Sequence, residues 1–255
     1  HLVFKENLFL NNFKEEHLST TKTSAFIKNN KKISEITNYE KGEWWVQDFS
    51  SMLPIYLIKE VAKQEILDVC AAPGGKSFQA ISRNGFVDLN DISKKRIKVL
   101  KENLKRLNFK NEINNKNIFK LEINKKYDIV VLDAPCSAIG TIRRNPEIFF
   151  KKQPPNLNKL VNLQRKMLAK ASMFLKKRGV LIYIVCSFLY VETEENINNF
   201  LQENKNFSLI KFSNTNENQF IRNFINSNGL ILHGPDVYKK YNIDGFFAAQ
   251  IRKDD

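Results

Sequence analysis

Leu67-Asp68-Val69-Cys70-Ala71-Ala72-Pro73-Gly74-Gly75-Lys76-Ser77 decides how the chain is read. Ile66 to Cys70 is a short apolar run of the kind that forms a strand buried on both faces. It breaks into small residues and a proline, and a helix over 76–83 is predicted to follow. Small residues after a strand let the backbone approach a ligand closely, and a helix start offers free N–H groups. A Walker A loop would need a glycine at position 70, where Cys stands, although Gly75-Lys76-Ser77 supplies its tail. The Gly-x-Gly-x-x-Gly dinucleotide fingerprint is absent. A third reading is an adenosine-containing cofactor other than a dinucleotide, and a fourth is an ordinary strand–helix turn. Asp91 ends the next predicted strand, Phe86 to Asp91, seventeen residues after Gly74. That is close to the ~20-residue spacing of a ribose-binding acid.

Outward from this stretch, strands and helices alternate. Ser93 to Leu107 reads as an amphipathic helix with Ser93 as N-cap and Ile97, Leu100, Leu104 and Leu107 on one face. Tyr127 to Asp133 is a β-branched strand. Leu157 to Leu175 is a long helical pattern that Gly179 stops, and Val180 to Val185 is another buried strand. Glu194 to Glu203 is helical, 213–228 reads as a loop, and Phe207 to Phe212 and Phe246 to Ile251 supply the last strands. The alternation predicts an α/β fold with a doubly wound, mostly parallel sheet. Residues 1–43 are polar and read as a lead-in or small subdomain without a core, and 44–255 as the catalytic domain. Ligands of such sheets bind at the C-terminal strand ends, here near 70–76, 91, 133–137 and 186–187.

Asp133-Ala134-Pro135-Cys136-Ser137 and Val185-Cys186-Ser187 end two of these strands. A lone cysteine is more often a small buried hydrophobe, and Cys70 is given that packing role. Two thiols fifty residues apart at the ends of neighbouring strands, one beside an aspartate, would instead face one site.

The 255 residues hold 42% hydrophobics, enough for a sizeable core. Lys and Arg number 41 against 27 Asp and Glu, a net charge of +14, which points to a polyanion such as nucleic acid or to an AT-rich genome rich in Lys and Asn codons. Three scattered cysteines and the absence of C-x-x-C or H-x-x-x-H argue against disulfides and a metal site. A soluble, reduced, cytoplasmic monomer is expected, with no membrane partner. No apolar stretch approaches the ~18 residues of a membrane span. Lys5 and Glu6 come too early for a signal peptide, and the missing initiator Met is read as the mark of a fragment or a processed form. Arg143-Arg144 is expected to touch the phosphates of such a polyanion. The Lys-rich helix 94–106 is expected to be a solvated face, Trp44 and Trp45 to be core, and His233 has no assigned role.

In Val46-Gln47-Asp48, the block 67–77, Asp91, the block 133–146, Cys186-Ser187 with Glu194-Glu195-Asn196, and Asp244-Gly245-Phe246-Phe247, the chain resembles the RsmB/Nop2/Sun family of RNA 5-methylcytosine methyltransferases. The resemblance runs from about Trp44 to Arg252, and Ser137 to Pro146 favours its ribosomal subgroup. It implies a Rossmann-like, S-adenosylmethionine-dependent enzyme acting on C5 of a cytosine in RNA, most simply 16S ribosomal RNA. It implies that Cys70, Ala71, Ala72, Pro73, Gly74, Gly75, Lys76, Asp91, Asn117 and Asp133 hold the cofactor. Cys186 would attack C6 of the base, Cys136 would assist release, and Asp133 would bond the base. Two departures stand out: Val185 replaces the usual Thr before the nucleophile, and Asn117 the acid expected beside the adenine. Ribosomal relatives carry an additional RNA-binding domain for which the lead-in is too short, so weak methylation by this chain alone is expected. The alternatives are a tRNA substrate, or an idle RNA-binding or ribosome-assembly factor on the same fold.

Overall fold

Alternate residues of the strand Tyr127–Asp133 face opposite sides of the central sheet, and both sides are apolar. Ile129 and Val131 enter one core with Phe78, Leu100 and Leu104, while Val130 and Leu132 enter a second with Met167, Leu168 and Phe200. Burial on both faces is why this strand reads as a continuous β-branched run. The computed structural model describes residues 1–28, 31–122, 124–150, 155–212, 219–235 and 242–255.

In chain order the elements begin with β1 (Leu2–Phe4), α1 (Asn7–Asn11), β2 (Leu18–Thr21), β3 (Ser24–Phe26), β4 (Trp44–Val46), α2 (Phe49–Tyr56), β5 (Glu65–Asp68) and α3 (Gly75–Ser82). They continue with β6 (Phe86–Asn90), α4 (Lys94–Arg106), β7 (Ile113–Asn114), β8 (Tyr127–Asp133), α5 (Leu157–Ser172) and β9 (Leu175–Val185). The last are α6 (Glu194–Glu203), β10 (Phe207–Ile210), α7 (Gln219–Arg222), β11 (Ile231–His233) and β12 (Phe246–Lys253). The main sheet runs β10-β12-β9-β8-β5-β6-β7, with β11 pairing β12. From β9 to β7 every pair is parallel, and β12 lies antiparallel between β9 and β10. The expected mostly parallel sheet is therefore present, with the strand order reversing beside β5 and β8, where such folds bind ligands. The N-cap of α4 is as read, with the Ser93 side chain accepting from the Arg96 amide.

Three local readings are corrected. The helix expected to reach Leu175 ends at Ser172, because Leu175 already pairs with Tyr127 as the first residue of β9. The β8–β9 register then slips between Leu175 and Val180, so Gly179 sits inside a bulged strand and not at a helix stop. The stretch 213–228, read as loop, holds α7 and the fully buried Ile221 and Phe224, while 213–218 lies outside the described residues. Residues 1–43 are not without a core. Leu2, Phe4, Leu10, Phe13, Ala25 and Ile36 pack with Trp44 beneath a second sheet, β2-β3-β1-β4, in which β4 pairs β1. Trp44 and Trp45 are buried, as expected. No helix among the described residues is long and apolar enough to cross a membrane.

His233, unassigned from sequence, is a core residue. It stands edge-on to Phe224 with ring centroids 4.7 Å apart, and its Nε2 has no hydrogen-bond partner among the described residues. Burial pushes its imidazole down to about 4. Below an unfolded value of ~6.5 the unfolded chain therefore binds a proton that the folded one refuses. Stability should be full at pH 7 and fall as the pH drops from about 6.5 towards 4. Urea unfolding at pH 7 and pH 5 should differ by about 2 kcal/mol from this group. In His233→Phe that share of the difference should vanish.

Candidate active site

β8 and β9 are hydrogen-bonded neighbours, with Asp133 in register with Ile184 and the Ala134 amide donating to the Ile184 carbonyl at 2.9 Å. This pairing carries Cys136 and Cys186 off the same edge of the sheet, and their Sγ atoms stand 3.4 Å apart. The two thiols are hydrogen-bonded to each other, and either sulfur can be the donor. That bond holds Cys186 below the ordinary thiol range and, together with burial, pushes Cys136 well above it. The Lys76 charge also favours a Cys186 thiolate, although Asp133 and burial oppose it. The pair is thus polarised, with one sulfur prepared as a nucleophile and the other holding a proton.

Asp133 ends β8 and remains partly open to solvent. Lys76, in the first turn of α3, donates to its Oδ2 at 2.8 Å and to the Ser51 hydroxyl at 2.8 Å. The lysine that completes a Walker-like tail is therefore committed to a carboxylate. The loop between β8 and α5 is fixed from behind. The Gly140 amide donates to the Cys186 carbonyl at 3.0 Å, and the Gly245 amide donates to the Gly140 carbonyl at 2.8 Å. A Cβ at Gly140 would lie 2.0 Å from the Gly245 carbonyl oxygen, so only glycine allows this approach.

A cavity of ≈ 450 Å³ runs from Asp91 to the two thiols. Of the sequence-predicted residues, Cys70, Asp91, Asn117, Asp133, Cys136 and Cys186 line it, and Lys76 reaches it through Asp133. Ala71, Ala72, Pro73, Gly74 and Gly75 are not among its lining residues. Gly74, at φ +119°, is required by packing, since a Cβ there would lie 2.0 Å from the Phe78 ring. Cys70 both lines the cavity and packs against the core, and burial pushes its thiol far up, so it is not a nucleophile. Asp91 is almost fully buried and accepts from the Ala72 amide at 3.1 Å and the Ser93 amide at 2.8 Å. Asn117 caps a short turn, accepting from the Phe119 amide at 3.0 Å.

Arg143 and Arg144 do not stand free as phosphate contacts. Both reach Asp244, at 3.1 Å and 2.7 Å, across from the Asp48 carboxylate at the start of α2. The sequence reading also passed over Glu192, a buried carboxylate bonded to Ser137 and Gln164. Its one signal was an acid directly after the apolar run Phe188 to Val191.

The cavity chemistry fits S-adenosylmethionine. A buried acid at the end of β6 suits a ribose, Ile92, Ile118 and Phe119 suit a flat purine, and the far end opens on the polarised thiols. Fold and cavity together define a Rossmann-like S-adenosylmethionine-dependent methyltransferase. The family model described as 16S rRNA methyltransferase RsmB/F matches residues 55–252, and the chain belongs to that family. It is 35% identical over 227 residues to the ribosomal RNA small subunit methyltransferase B of Photorhabdus laumondii, covering 87% of this chain and 49% of that protein. It is 32% identical to the protein of the same name from Shewanella oneidensis, covering 88% of this chain and 51% of that one. The chain thus spans about half the length of these curated relatives. Among solved structures, NSun6 from Pyrococcus horikoshii, determined with the S-adenosylmethionine analogue SFG, superposes with a TM-score of 0.73 at 29% identity, over 88% of this chain and 56% of that one. A methyltransferase homologue from the same organism, at 24% identity and a TM-score of 0.75 over 99% of this chain and 85% of that one, shares the fold.

Replacing Asp91 by Ala should weaken S-adenosylmethionine binding by about 1–3 kcal/mol, the cost of losing charge-assisted hydrogen bonds. Titration calorimetry on the parent and on Asp91→Ala reads this directly. ATP, for which the loop lacks the first Walker glycine, should give no heat with either.

Proposed function

We propose that this chain carries the catalytic unit of an RNA cytosine-C5 methyltransferase acting on small-subunit ribosomal RNA. The observation that carries the reading is the 3.4 Å approach of Cys136 to Cys186 at the mouth of the cofactor cavity. The family, the relatives named for ribosomal RNA and the net charge of +14 support the polynucleotide substrate.

Cytosine C5 is a poor nucleophile, and one thiolate can change that. Cys186 adds to C6, the 5,6 double bond opens, and C5 gains enamine character. Asp133, held by Lys76, bonds the polar edge of the base and keeps it in place during addition. Bound S-adenosylmethionine supplies an electrophilic methyl group to C5. The C5 proton then leaves to solvent, the 5,6 double bond reforms, and the Cys186 C–S bond breaks to release the base, with the protonated Cys136 thiol assisting this release by hydrogen-bonding the departing Cys186 sulfur. Asp91 and Asn117, which line the cavity, would hold the cofactor when bound, Asp91 through its ribose and Asn117 through its adenine in place of an acid. Val185 is fully buried in the core, so the role at that position is carried by backbone alone. Arg143 and Arg144 act first by bracing the loop through Asp244, and their outer edges remain for phosphate.

The two thiols should separate cleanly. With Cys186→Ala no covalent RNA complex should form on a denaturing gel, and methylation should be lost. With Cys136→Ala the adduct should accumulate, and turnover should fall by roughly 10²–10⁴-fold, the usual size of a proton-transfer contribution. The opposite pattern would exchange the two roles, and unchanged turnover in both variants would remove covalent catalysis by these cysteines.

A further inference from the structure

Glu192 is fully buried, and no salt bridge reaches it among the described residues. Burying an unpaired carboxylate costs several kcal/mol unless hydrogen bonds replace its water. Here they do. Its Oε1 accepts from the Ser137 amide at 2.9 Å and from Gln164 Nε2 at 2.9 Å, and its Oε2 accepts from the Ser137 hydroxyl at 2.6 Å. Gln164 Nε2 also donates to the Pro135 carbonyl at 2.9 Å. Cys136 therefore has its backbone pinned on both sides, at Pro135 through Gln164 and at Ser137 through Glu192. The network is closed from behind. Asn196 donates to Gln164 Oε1 at 2.8 Å, and the Tyr183 hydroxyl donates to the Glu192 carbonyl at 2.8 Å.

We infer that Glu192 is the positioning residue of Cys136: by clamping the Ser137 amide and hydroxyl from the β9–α6 segment, it sets the place and the protonation of the thiol that stands against Cys186. A scaffold could clamp Ser137 with an amide or a hydroxyl at lower cost. A carboxylate adds a negative charge next to Cys136, and that charge works in the same direction as burial, keeping the thiol protonated. The other titratable and charged groups that bear on the two thiols are Asp133, Lys76, Tyr183 and Arg144, with the thiols themselves. Of the two thiols, Glu192 bears on Cys136 and Lys76 on Cys186, so the acid and the lysine polarise the pair from opposite ends. This extends the cytosine-C5 reading above, since a group that holds Cys136 matters to the release step.

Glu192→Gln keeps the outline of the side chain and removes the charge. In a Cys186→Ala background, the alkylation rate of Cys136 by iodoacetamide, followed by peptide mass against pH, should move to lower pH and rise severalfold at pH 8. This measurement needs neither RNA nor turnover, so it stands even if the cytosine-C5 reading fails. A superimposable pH profile would overturn the inference. With Cys186 intact, Ser137→Ala, which deletes one of the three bonds to the carboxylate, should raise the steady level of covalent RNA adduct above that of the parent. S-adenosylmethionine affinity should stay unchanged, because neither Glu192 nor Ser137 lines the cavity. Loss of cofactor affinity in step with loss of thermal stability would mark Glu192 as structural only and overturn the inference. A shifted alkylation profile with no adduct in any variant would keep Glu192 as the positioning residue and remove the covalent mechanism instead.

Discussion

The parallel ladder between β8 and β9 is the constraint on which the rest of the site depends. Neighbouring parallel strands lie about 4.8 Å apart, and side chains just beyond their ends inherit that spacing. Asp133 pairs with Ile184, so the chain leaves both strands at the same level, and three further residues on one and two on the other bring the sulfurs to 3.4 Å. Neither thiol lies on regular structure, so the ladder alone would leave both mobile. The Gly140 amide on the Cys186 carbonyl and the Glu192–Gln164 clamp around Cys136 turn that approach into a fixed geometry.

The polar groups behind the site are costly, and each is satisfied by a neighbour from a different element. Asp244 is buried, and burial pushes its carboxyl up, yet two guanidinium groups from the β8–α5 loop close on it. Breaking such a pair by removing one partner leaves a buried charge uncompensated, which costs more than the pair contributes when intact. The same logic governs the buried Glu192 network and, in weaker form, the Lys76–Asp133 pair, whose carboxylate is partly open to solvent. Stability and the geometry of the thiol pair are coupled here, since the loop cannot shift away from the thiols without stranding charges.

Much of this was legible in the sequence, for reasons that differ by residue. Tyr127–Asp133 was readable because a strand buried on both faces must be apolar throughout, and Ser93 because an N-cap oxygen precedes a clean helical stripe. The two cysteines were legible as a pair only through the strands that carry them, since fifty residues separate them in the chain. Other features depend on partners far away in sequence. Arg143 and Arg144 read as phosphate contacts, and nothing near them in the chain reveals that Asp244, about a hundred residues on, also braces both. Gly74 reads as part of a ligand-facing turn, and its requirement for glycine through the Phe78 ring and a φ of +119° is invisible in the sequence. The early start of β9 was hidden because Leu175 also continues the helical pattern of α5, and tertiary pairing with Tyr127 overrode local preference.

The amino-terminal sheet is joined to the site by a chain of buried amides. Trp45, on β4, donates from its indole to Gln47 Oε1 at 2.8 Å, Gln47 donates to Gln79 Oε1 at 3.0 Å, and Gln79 donates to the Met52 carbonyl at 3.1 Å. Gln79 lies on α3, one turn after Lys76, so the same helix takes its rotation from Trp45 and presents its lysine to Asp133. Ser50, two residues after the N-cap Asp48 of α2, donates to the Asp244 carbonyl at 2.7 Å and ties that helix to the arginine clamp. β4 is itself held by β1 through three paired positions. The weakly patterned first residues therefore act on the thiol pair without touching it: they fix Trp45, Trp45 fixes α3 through Gln47 and Gln79, and α3 sets where the Lys76 charge meets Asp133 beside Cys186.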